Sequence, residues 1–431
     1  MQARRLFKML VVLGVLLASC QAIPPSEASG EPVGSTQTVD GIATGIPTTT
    51  AVSPPIVPVA SPFEPSKPME PTAAPMPILP GTVNPGFSMA IPRTRHTATR
   101  LENGKILIVG GSVEGDDFAL DEEIIDPSTG TSSWAAPLHT IRHDHSATLL
   151  PNGRILVVGG YNLPDQWLGD AEIYDPKLDV WTVIPPRYPH GTSHTATLMQ
   201  DGRVLVVGGC IGSGICTEKV ETFDPGTNRW MDASPLAEDR GGQTTQNLNN
   251  GKVLLAGGNT DNNKIPGDGT ALVYDPQENT WTRTGPMNYP RALAKSAKLP
   301  DGKVLVAGGI VIGSDPPSIS DAVEIYDPDT NLWRPVPSMS QARYGFILDT
   351  LSNGLIVAAG GSRDYECCWT SDSYVHEIEV FNPSIEQWSV IGQLPEPGFL
   401  ATSIKLSDGR VWIAGGQVGD LVTDKTWLIQ P

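Results

Sequence analysis

The chain has 431 residues, with 47 acidic and 29 basic side chains, and its net charge is −18. So acidic a protein is repelled by nucleic acids and by anionic membrane surfaces, and we therefore exclude both as binding partners of its folded part. The 45 glycines and 40 prolines indicate a chain with many turns.

Residues 1–19 have the features of a secretory signal. A basic start at residues 2–8 is followed by an apolar stretch at residues 9–17, which is too short to cross a bilayer as a helix. Residues 17–20 read Leu-Ala-Ser-Cys and resemble the cleavage box of bacterial lipoproteins. The resemblance implies cleavage before Cys20 and a lipid on its sulfur. An ordinary signal peptide with a chance cysteine is the alternative.

Residues 21–80 differ in composition from the rest of the chain. They hold 14 of the 40 prolines, together with many Ser, Thr, Ala and Gly residues. Such a segment buries too little apolar surface to offset the entropy of ordering it, so we predict an extended, disordered tether. Together with a lipid on Cys20, the tether predicts an exported protein that is anchored to the bacterial cell envelope and faces outward.

Seven Gly-Gly pairs divide the remainder of the chain. Each pair ends a short apolar run, and the pairs start 49, 49, 49, 51, 52 and 55 residues apart. A nearly fixed period of this size indicates one supersecondary unit repeated along the chain. The pairs are Gly110-Gly111, Gly159-Gly160, Gly208-Gly209, Gly257-Gly258, Gly308-Gly309, Gly360-Gly361 and Gly415-Gly416.

Each unit predicts four antiparallel strands. An Asn-Gly or Asp-Gly turn precedes every glycine pair, and this dipeptide between apolar runs is typical of a two-residue hairpin. In most units a third strand ends in an aromatic residue and Asp-Pro, and a tryptophan then opens the fourth strand. The turns are Asn103-Gly104, Asn152-Gly153, Asp201-Gly202, Asn250-Gly251, Asp301-Gly302, Asn353-Gly354 and Asp408-Gly409.

This order of glycine pair, aromatic residue and tryptophan resembles the kelch repeat over residues 81–431. The resemblance implies an all-β, seven-bladed β-propeller with four antiparallel strands in each blade. The seventh unit ends with a third strand at residues 426–431, and residues 83–93 align with the fourth strand of the other units. We therefore predict that the N-terminal strand completes the last blade and closes the ring.

One face of such a propeller carries loops of variable length, and we expect binding there. Two rows of residues precede the first strands, eighteen and fifteen positions before each second glycine. The first row holds five arginines and the second holds three consecutive histidines, with two further histidines nearby. The candidate ligand-binding residues at the channel mouth are Arg93, His96, Arg142, His143, His145, His190, His194, Arg240, Arg291 and Arg343.

Two interpretations of these rows remain open. The arginines could hold a carboxylate, as on an acidic sugar, through forked hydrogen bonds, and the histidines could bind a divalent metal. Alternatively, both rows only hydrogen-bond neighbouring loops, because a basic residue and a histidine recur at this point of the repeat. The structural partners of the arginines would then be Glu123, Glu172, Glu221, Glu324 and Glu379.

Cysteines and acidic residues supply further candidates. Cys210 and Cys216 flank one Gly-rich loop and predict a disulfide, whereas Cys367 and Cys368 are adjacent, and cross-pairing between the two sets is the alternative. The acidic segment 114–123 lacks the spacing of a calcium loop, so a solvated face is the preferred interpretation. We expect no cofactor, with calcium or another divalent metal as the alternative.

The kelch propeller also occurs in galactose oxidase and related copper radical enzymes, whose site resembles a cysteine-linked tyrosine, a Tyr-His pair and a further histidine on an appended domain. This chain has no Tyr-His dipeptide, so copper radical chemistry is not expected. We predict a monomeric module that binds a protein or a glycan at its loops and channel mouth. The alternatives are a non-copper enzyme for an acidic sugar, similar to kelch mutarotases, and a structural scaffold of an envelope complex.

Overall fold

The computed structural model of the protein describes residues 83–114, 117–162, 166–212, 215–259, 270–311, 317–364, 373–419 and 421–430. Every regular element in these ranges is a β-strand, which confirms the all-β prediction. The same ranges contain no helix long and apolar enough to cross a bilayer. The predicted signal (residues 1–19), Cys20, the tether (residues 21–80), Cys367 and Cys368 lie outside the described residues.

Within the described ranges the strands form seven antiparallel sheets of four strands, numbered here as sheets 1 to 7 in chain order. Sheet 1 contains Thr97–Arg100, Ile106–Val109, Glu122–Asp126 and Thr131–Ala135; sheet 2 contains Ser146–Leu149, Ile155–Val158, Ala171–Asp175 and Val180–Val183. Sheet 3 contains Thr195–Leu198, Val204–Val207, Val220–Asp224 and Arg229–Asp232; sheet 4 contains Thr244–Asn247, Val253–Ala256, Leu272–Asp275 and Thr280–Arg283. Sheet 5 contains Lys295–Lys298, Val304–Ala307, Val323–Asp327 and Leu332–Val336; sheet 6 contains Ile347–Thr350, Ile356–Ala359, Glu377–Asn382 and Gln387–Gln393.

Sheet 7 combines strands from both ends of the described chain. Its first three strands are Thr402–Lys405, Val411–Ala414 and Thr426–Ile429, and its fourth is Val83–Pro85. Val83 lies opposite Ile429, just as Trp181 lies opposite Tyr174 in sheet 2, so Val83 takes the place of the tryptophan in the fourth strand. The regular strand is shorter than segment 83–93, and the rest of that segment crosses to sheet 1.

The loops that follow several glycine pairs contain short strands. We call this side of the sheets the loop face, and the side with the Asn-Gly and Asp-Gly turns the turn face. The short strands are Tyr161–Asn162 with Gln166–Trp167, Arg291–Ala292 with Ile310–Val311 and Ser318–Ile319, and Gln417–Val418 with Leu421–Val422. They extend the loop face beyond the main sheets, whereas the turn face has only tight turns.

Apolar packing between neighbouring sheets forms the core. The second strand of every sheet is completely buried, as its Val, Ile and Leu run predicts. Between sheets 1 and 2, Leu107 packs with Ile155, and Trp181 packs against Tyr174 at a tilt of 38°, with 4.9 Å between ring centres. The indole N–H of Trp181 donates to the Ala136 carbonyl at 2.7 Å, and the tryptophans of sheets 3 to 6 donate likewise to the preceding repeat.

The glycine pairs allow adjacent sheets to approach closely. Gly110 and Gly111 have φ values of 57° and 104°, which side chains rarely adopt. A Cβ atom on Gly110 would lie 2.2 Å from the carbonyl oxygen of Arg142 in the next repeat. The pair is therefore needed both for its backbone conformation and for the contact between repeats.

The first strands of the sheets contact one another in chain order. Each first strand contacts the first strand of the next sheet, and the first strand of sheet 7 contacts that of sheet 1. At this last contact, the Arg95 N–H donates to the Leu400 carbonyl at 3.2 Å. We call the space that these first strands surround the central channel.

Candidate functional site

The five arginines of the predicted channel mouth are buried. Arg93, Arg142 and Arg343 are 0% exposed, Arg291 is 1% exposed and Arg240 is 3% exposed. Their guanidinium groups are therefore closed to a ligand that arrives from solvent.

Each guanidinium is also occupied by protein acceptors. In sheet 2, Arg142 donates to the Gly159 carbonyl at 2.8 Å, to Asp170 Oδ1 at 2.9 Å and to Glu172 Oε1 at 2.8 Å. Gly159 is the first glycine of its pair, and the other four arginines reach the equivalent carbonyl of their own repeats. Pairs of a buried arginine with a buried glutamate recur as Arg93–Glu123, Arg291–Glu324 and Arg343–Glu379.

The glutamates fix the crossings that lead into the first strands. Glu172 accepts the backbone N–H groups of His139 and Thr140, both at 3.0 Å. Glu221 accepts those of Arg187 and Tyr188 at 2.9 and 3.0 Å. These contacts confirm that the repeated carboxylates are structural partners, because they bind the arginine row and the connecting backbone together.

In sheets 3 and 4, other residues replace one member of the arginine–glutamate pair. Gly191 occupies the arginine position of sheet 3, and the preceding residue, His190, replaces the arginine. Its ring nitrogens lie 2.8 Å from the Gly208 carbonyl and 3.1 Å from Glu221 Oε1. Sheet 4 lacks the glutamate, and Arg240 donates instead to the carbonyl and the hydroxyl of Thr270. Burial lowers the pKa of Arg240 to about 10, which leaves it charged at neutral pH.

The histidine row lies between neighbouring first strands. His145 Nε2 is 2.8 Å from Thr97 Oγ1, and His194 Nε2 is 2.8 Å from Ser146 Oγ. His96 occupies the equivalent position at the contact of sheets 7 and 1. Burial, with a smaller effect of the Arg93 charge, lowers the pKa of His96 to about 3, and burial likewise lowers the pKa of His194 to about 3. These rings are neutral at physiological pH. His145 and His194 form hydrogen bonds, whereas both ring nitrogens of His96 are buried without a partner among the described residues.

The structure does not gather the acidic and histidine candidates into a metal centre. Among the described residues, no group of three His, Cys, Asp or Glu side chains is arranged to hold a metal ion. The interpretation of segment 114–123 as a solvated face is wrong for Glu122 and Glu123, which are 1% and 0% exposed. Both side chains turn inward because Gly110 N–H and Ala90 N–H donate to them.

Seven residues at the channel mouth form a ring that the sequence did not predict. These residues lie two positions after the arginine row, and each has a positive φ between 54° and 69°. We call the set the mouth belt: Arg95, Asp144, Ser193, Gly242, Leu293, Gly345 and Leu400. Five of the seven neighbouring pairs are joined by backbone hydrogen bonds of 2.7–3.2 Å, including the pair that links sheet 7 to sheet 1. The seven positions hold five residue types, with Gly and Leu each occurring twice, so no single residue type marks this position.

The mouth belt is charged over sheets 1 and 2. Arg95 Nη1 lies 3.1 Å from Asp144 Oδ2, and His143 Nδ1 lies 2.9 Å from the same oxygen. Burial acts to raise the pKa of Asp144, but Arg95 and His143 hold it below its usual value. The sequence prediction included His143 but missed its acidic partner.

Aromatic rings continue outward from this charged part. His143 stacks on Phe118 with 5.2 Å between ring centres, and Tyr161 lies 5.3 Å away on its other side. Tyr161 then meets Trp167 edge to face at 5.4 Å. The four rings come from three separate segments and join the loops of sheets 1 and 2.

The opposite part of the mouth is apolar. Tyr344, Phe399 and Tyr374 form a buried cluster on the loop face over sheets 5 to 7, with Leu293 and Leu400 of the mouth belt packed against it. The Tyr374 hydroxyl accepts the Gly419 N–H at 2.9 Å. The mouth is therefore divided into a charged part and an apolar part.

A disulfide shapes the loop face of sheet 3. Cys210 and Cys216 are bonded, as predicted, and close a loop of six-residue separation. The Ile211 N–H donates to the Ile215 carbonyl at 2.8 Å, which makes the loop a narrow hairpin. Its two isoleucines are 36% and 56% exposed. We call this feature the isoleucine hairpin.

Comparisons with known proteins agree with the repeat. The family model described as KLHDC2/KLHL20/DRC7 Kelch-repeats domain matches residues 95–309, and the Kelch motif model matches residues 293–340. Kelch-like protein 21 of Homo sapiens is 36% identical over 87 residues, which is 20% of this chain and 13% of that protein. Kelch-like protein 21 of Danio rerio is 27% identical over 150 residues, which is 33% of this chain and 21% of that protein. The chain thus matches well under two thirds of the length of these relatives.

Two solved structures share the architecture. A novel fungal alcohol oxidase of the AA5 family, in complex with copper, has a TM-score of 0.65 and 18% identity, over 81% of this chain and 76% of that one. The structure of YjhT has a TM-score of 0.53 and 16% identity, over 70% of this chain and 98% of that one. At these identities the likeness shows the fold alone.

Proposed function

We propose that this chain, which belongs to the kelch-repeat family, is a recognition module that binds a partner protein on its loop face. In this proposal the seven sheets are the blades of a closed propeller, and the N-terminal strand completes the last blade. The cyclic contacts between first strands and the pairing of Val83 with Ile429 support the closed ring. Rigid blades would then hold the loops in fixed positions.

The isoleucine hairpin is the observation that carries the proposal. Ile211 and Ile215 are two exposed branched side chains on a loop that a disulfide closes. Because the disulfide restricts the loop before a partner binds, binding loses less conformational entropy. Apolar side chains are typical of the fully buried core of a protein interface. Leu120, 55% exposed, and Leu421, 65% exposed, are further exposed apolar side chains on loops of the same face.

The proposed setting is the outside of a bacterial envelope. A lipid on Cys20 would anchor the chain, and the tether at residues 21–80 would hold the propeller away from the membrane. The Leu-Ala-Ser-Cys sequence at residues 17–20 and the proline-rich composition that follows support this arrangement. An outward-facing module would meet other proteins at its loops.

Charge substitutions on the two faces test the proposal. The loop-face variant carries Ile211→Asp and Ile215→Asp, and the matched control carries Leu178→Asp and Ile385→Asp, which are 70% and 60% exposed in turns of the opposite face. Proteins retained by the full chain from membrane extracts of its host would be quantified for each variant. We expect at least one retained protein to fall about tenfold with the loop-face variant, because each aspartate buries a charge against an apolar partner surface, and to persist with the control.

Equal retention by both variants would contradict the proposal. The same full chain would be screened on a glycan array and titrated with sialic and uronic acids. A response that survives the loop-face substitutions would instead favour the glycan or acidic-sugar alternative. Co-purification with envelope proteins that is lost with neither variant would favour a scaffold role.

A further inference from the structure

The first residues of the seven first strands lie at one level of the central channel. Each pairs with the residue that immediately precedes the glycine pair of its own sheet, for example Thr97 with Val109 and Lys295 with Ala307. The identical register places the seven side chains in one ring, just below the mouth belt. The ring consists of Thr97, Ser146, Thr195, Thr244, Lys295, Ile347 and Thr402.

The strands around the channel are basic, although the whole chain has a net charge of −18. The seven first strands contain four bases, Arg100, Lys295, Lys298 and Lys405, and one acid, Asp349. Asp349 accepts the Thr350 N–H at 2.8 Å and has the Ser403 hydroxyl 3.4 Å away. The first strands therefore carry more positive than negative side chains, opposite in sign to the whole chain.

Lys295 carries the charge of the ring. Its side chain is exposed to solvent, and no ion pair or hydrogen bond to it is found among the residues that the structure describes. The protein around it lowers the pKa of its ammonium group by desolvation. A negative ligand beside this group would favour the charged form and reverse part of that effect.

The ring also offers hydroxyl and amide groups with unused capacity. Thr195 Oγ1 and Gln243 Oε1 are buried and have no hydrogen-bond partner within the described part of the chain. Gln243 itself is 6% exposed and directly precedes Thr244 of the ring. Thr244 Oγ1 lies 2.6 Å from Ser296 Oγ, next to Lys295 in sequence. The unpaired atoms of Thr195 and Gln243 are closed to a channel ligand by their burial. In the Thr244–Ser296 pair only one hydroxyl donates to the other, so the second O–H is free to donate to a ligand beside Lys295.

We propose that the central channel binds a small oxyanion, a carboxylate or a phosphate, with the Lys295 ammonium group as its charge partner. The free O–H of the Thr244–Ser296 hydroxyl pair donates to the same ligand. The site differs from the arginine site that the sequence suggests, since those arginines are buried and donate to protein acceptors. The inference rests on the closed ring proposed above but does not depend on a partner protein.

Titration calorimetry on the full chain tests this inference. The probes are inorganic phosphate, glucuronate and, as the uncharged control, glucose. The variants are Lys295→Met, which keeps the apolar stem, Lys295→Arg, which keeps the charge, and Lys177→Met at an exposed turn as the matched control. We expect an anion to bind the parent and Lys177→Met equally, to bind Lys295→Met at least about tenfold more weakly, and to bind Lys295→Arg in between.

Circular dichroism would establish that each variant is folded. The two anions distinguish the chemical class of the ligand. Binding of glucuronate without phosphate indicates a carboxylate ligand, and binding of phosphate without glucuronate indicates a phosphate ligand. Failure of both anions to bind the folded parent would overturn the inference, and so would equal affinity for the parent and Lys295→Met. Either result would leave the loop-face test untouched, since that test measures retention of a protein.

Discussion

At the scale of single residues, burial separates the framework from the binding groups. His96, His145 and His194 are held between first strands, where a charged imidazolium ring would lose its hydration. Gln243 occupies the same position in sheet 4 and donates to the Val207 carbonyl at 2.8 Å. An uncharged amide thus replaces the imidazole in sheet 4, which indicates that the position does not require a titratable group.

His194→Gln is therefore expected to fold and to change the pH dependence of stability. Burial lowers the pKa of His194 from 6.5 to about 3, so the unfolded chain binds the extra proton between these values. The stability contribution is complete above pH 6.5 and is lost as the pH falls, by up to about 1.4 kcal/mol per pH unit. Urea unfolding from pH 4 to pH 6 should show a slope smaller by up to that amount in the variant.

Lys177→Gln, at an exposed turn, is the control and should keep the parental slope. If His194→Gln also kept the parental slope, the histidine would not titrate as its burial requires. Its assignment to the framework would then have to be abandoned.

The arginine and histidine rows could be found from the sequence because one residue type recurs at one spacing. Their accessibility could not, because it depends on how closely two glycine pairs bring neighbouring sheets. His190 replaces an arginine from the preceding position, which no alignment by position reveals. Lys295 is the only base in its row, so it stood out only once the register placed it in the channel.

At the scale of elements, the N-terminal segment is an integral part of sheet 7. Beyond the paired strand, Gly86 N–H donates to the Thr426 carbonyl at 2.8 Å, and the Thr426 hydroxyl donates to the Phe87 carbonyl at 2.8 Å. Phe87 and Met89 are 5% and 3% exposed and pack with Trp412 between sheets 7 and 1. The segment thus contributes core side chains to the contact between the first and last repeats.

Phe87→Ala in the full chain should lower the free energy of unfolding by about 3–5 kcal/mol, because it removes a buried ring and leaves a cavity. Leu120→Ala removes an exposed apolar side chain and should cost less than about 0.5 kcal/mol. Urea unfolding followed by tryptophan fluorescence compares the two. A cost below about 1 kcal/mol for Phe87→Ala would show that this segment is dispensable and that the ring is not held together there.

The main strands were predictable because turn dipeptides, apolar runs and Asp-Pro stops recur in the sequence. The short strands of the loop face were not, because their loops share neither length nor residue type. The disulfide was predictable for Cys210 and Cys216, whose spacing fits a hairpin, while nothing in the sequence indicated that it would present two isoleucines.

At the scale of the whole molecule, the two faces differ in what they can do. The turn face is made of short turns that satisfy their own backbone, as where Gly104 N–H donates to the Leu101 carbonyl at 2.9 Å. The loop face combines a charged and an apolar part of the mouth with the isoleucine hairpin. A negative net charge suits such a module, because it limits non-specific association with acidic surfaces.

Hydrogen–deuterium exchange of the full chain, with and without a partner protein that it retains, tests most directly whether the loop face is the recognition surface. We predict slower exchange on binding at residues 209–212, 215–219 and 117–121, because their amides would be covered. Exchange at residues 150–154 and 176–179 of the turn face should be unchanged. Protection confined to the turn face, in a complex that is demonstrably formed, would contradict the account.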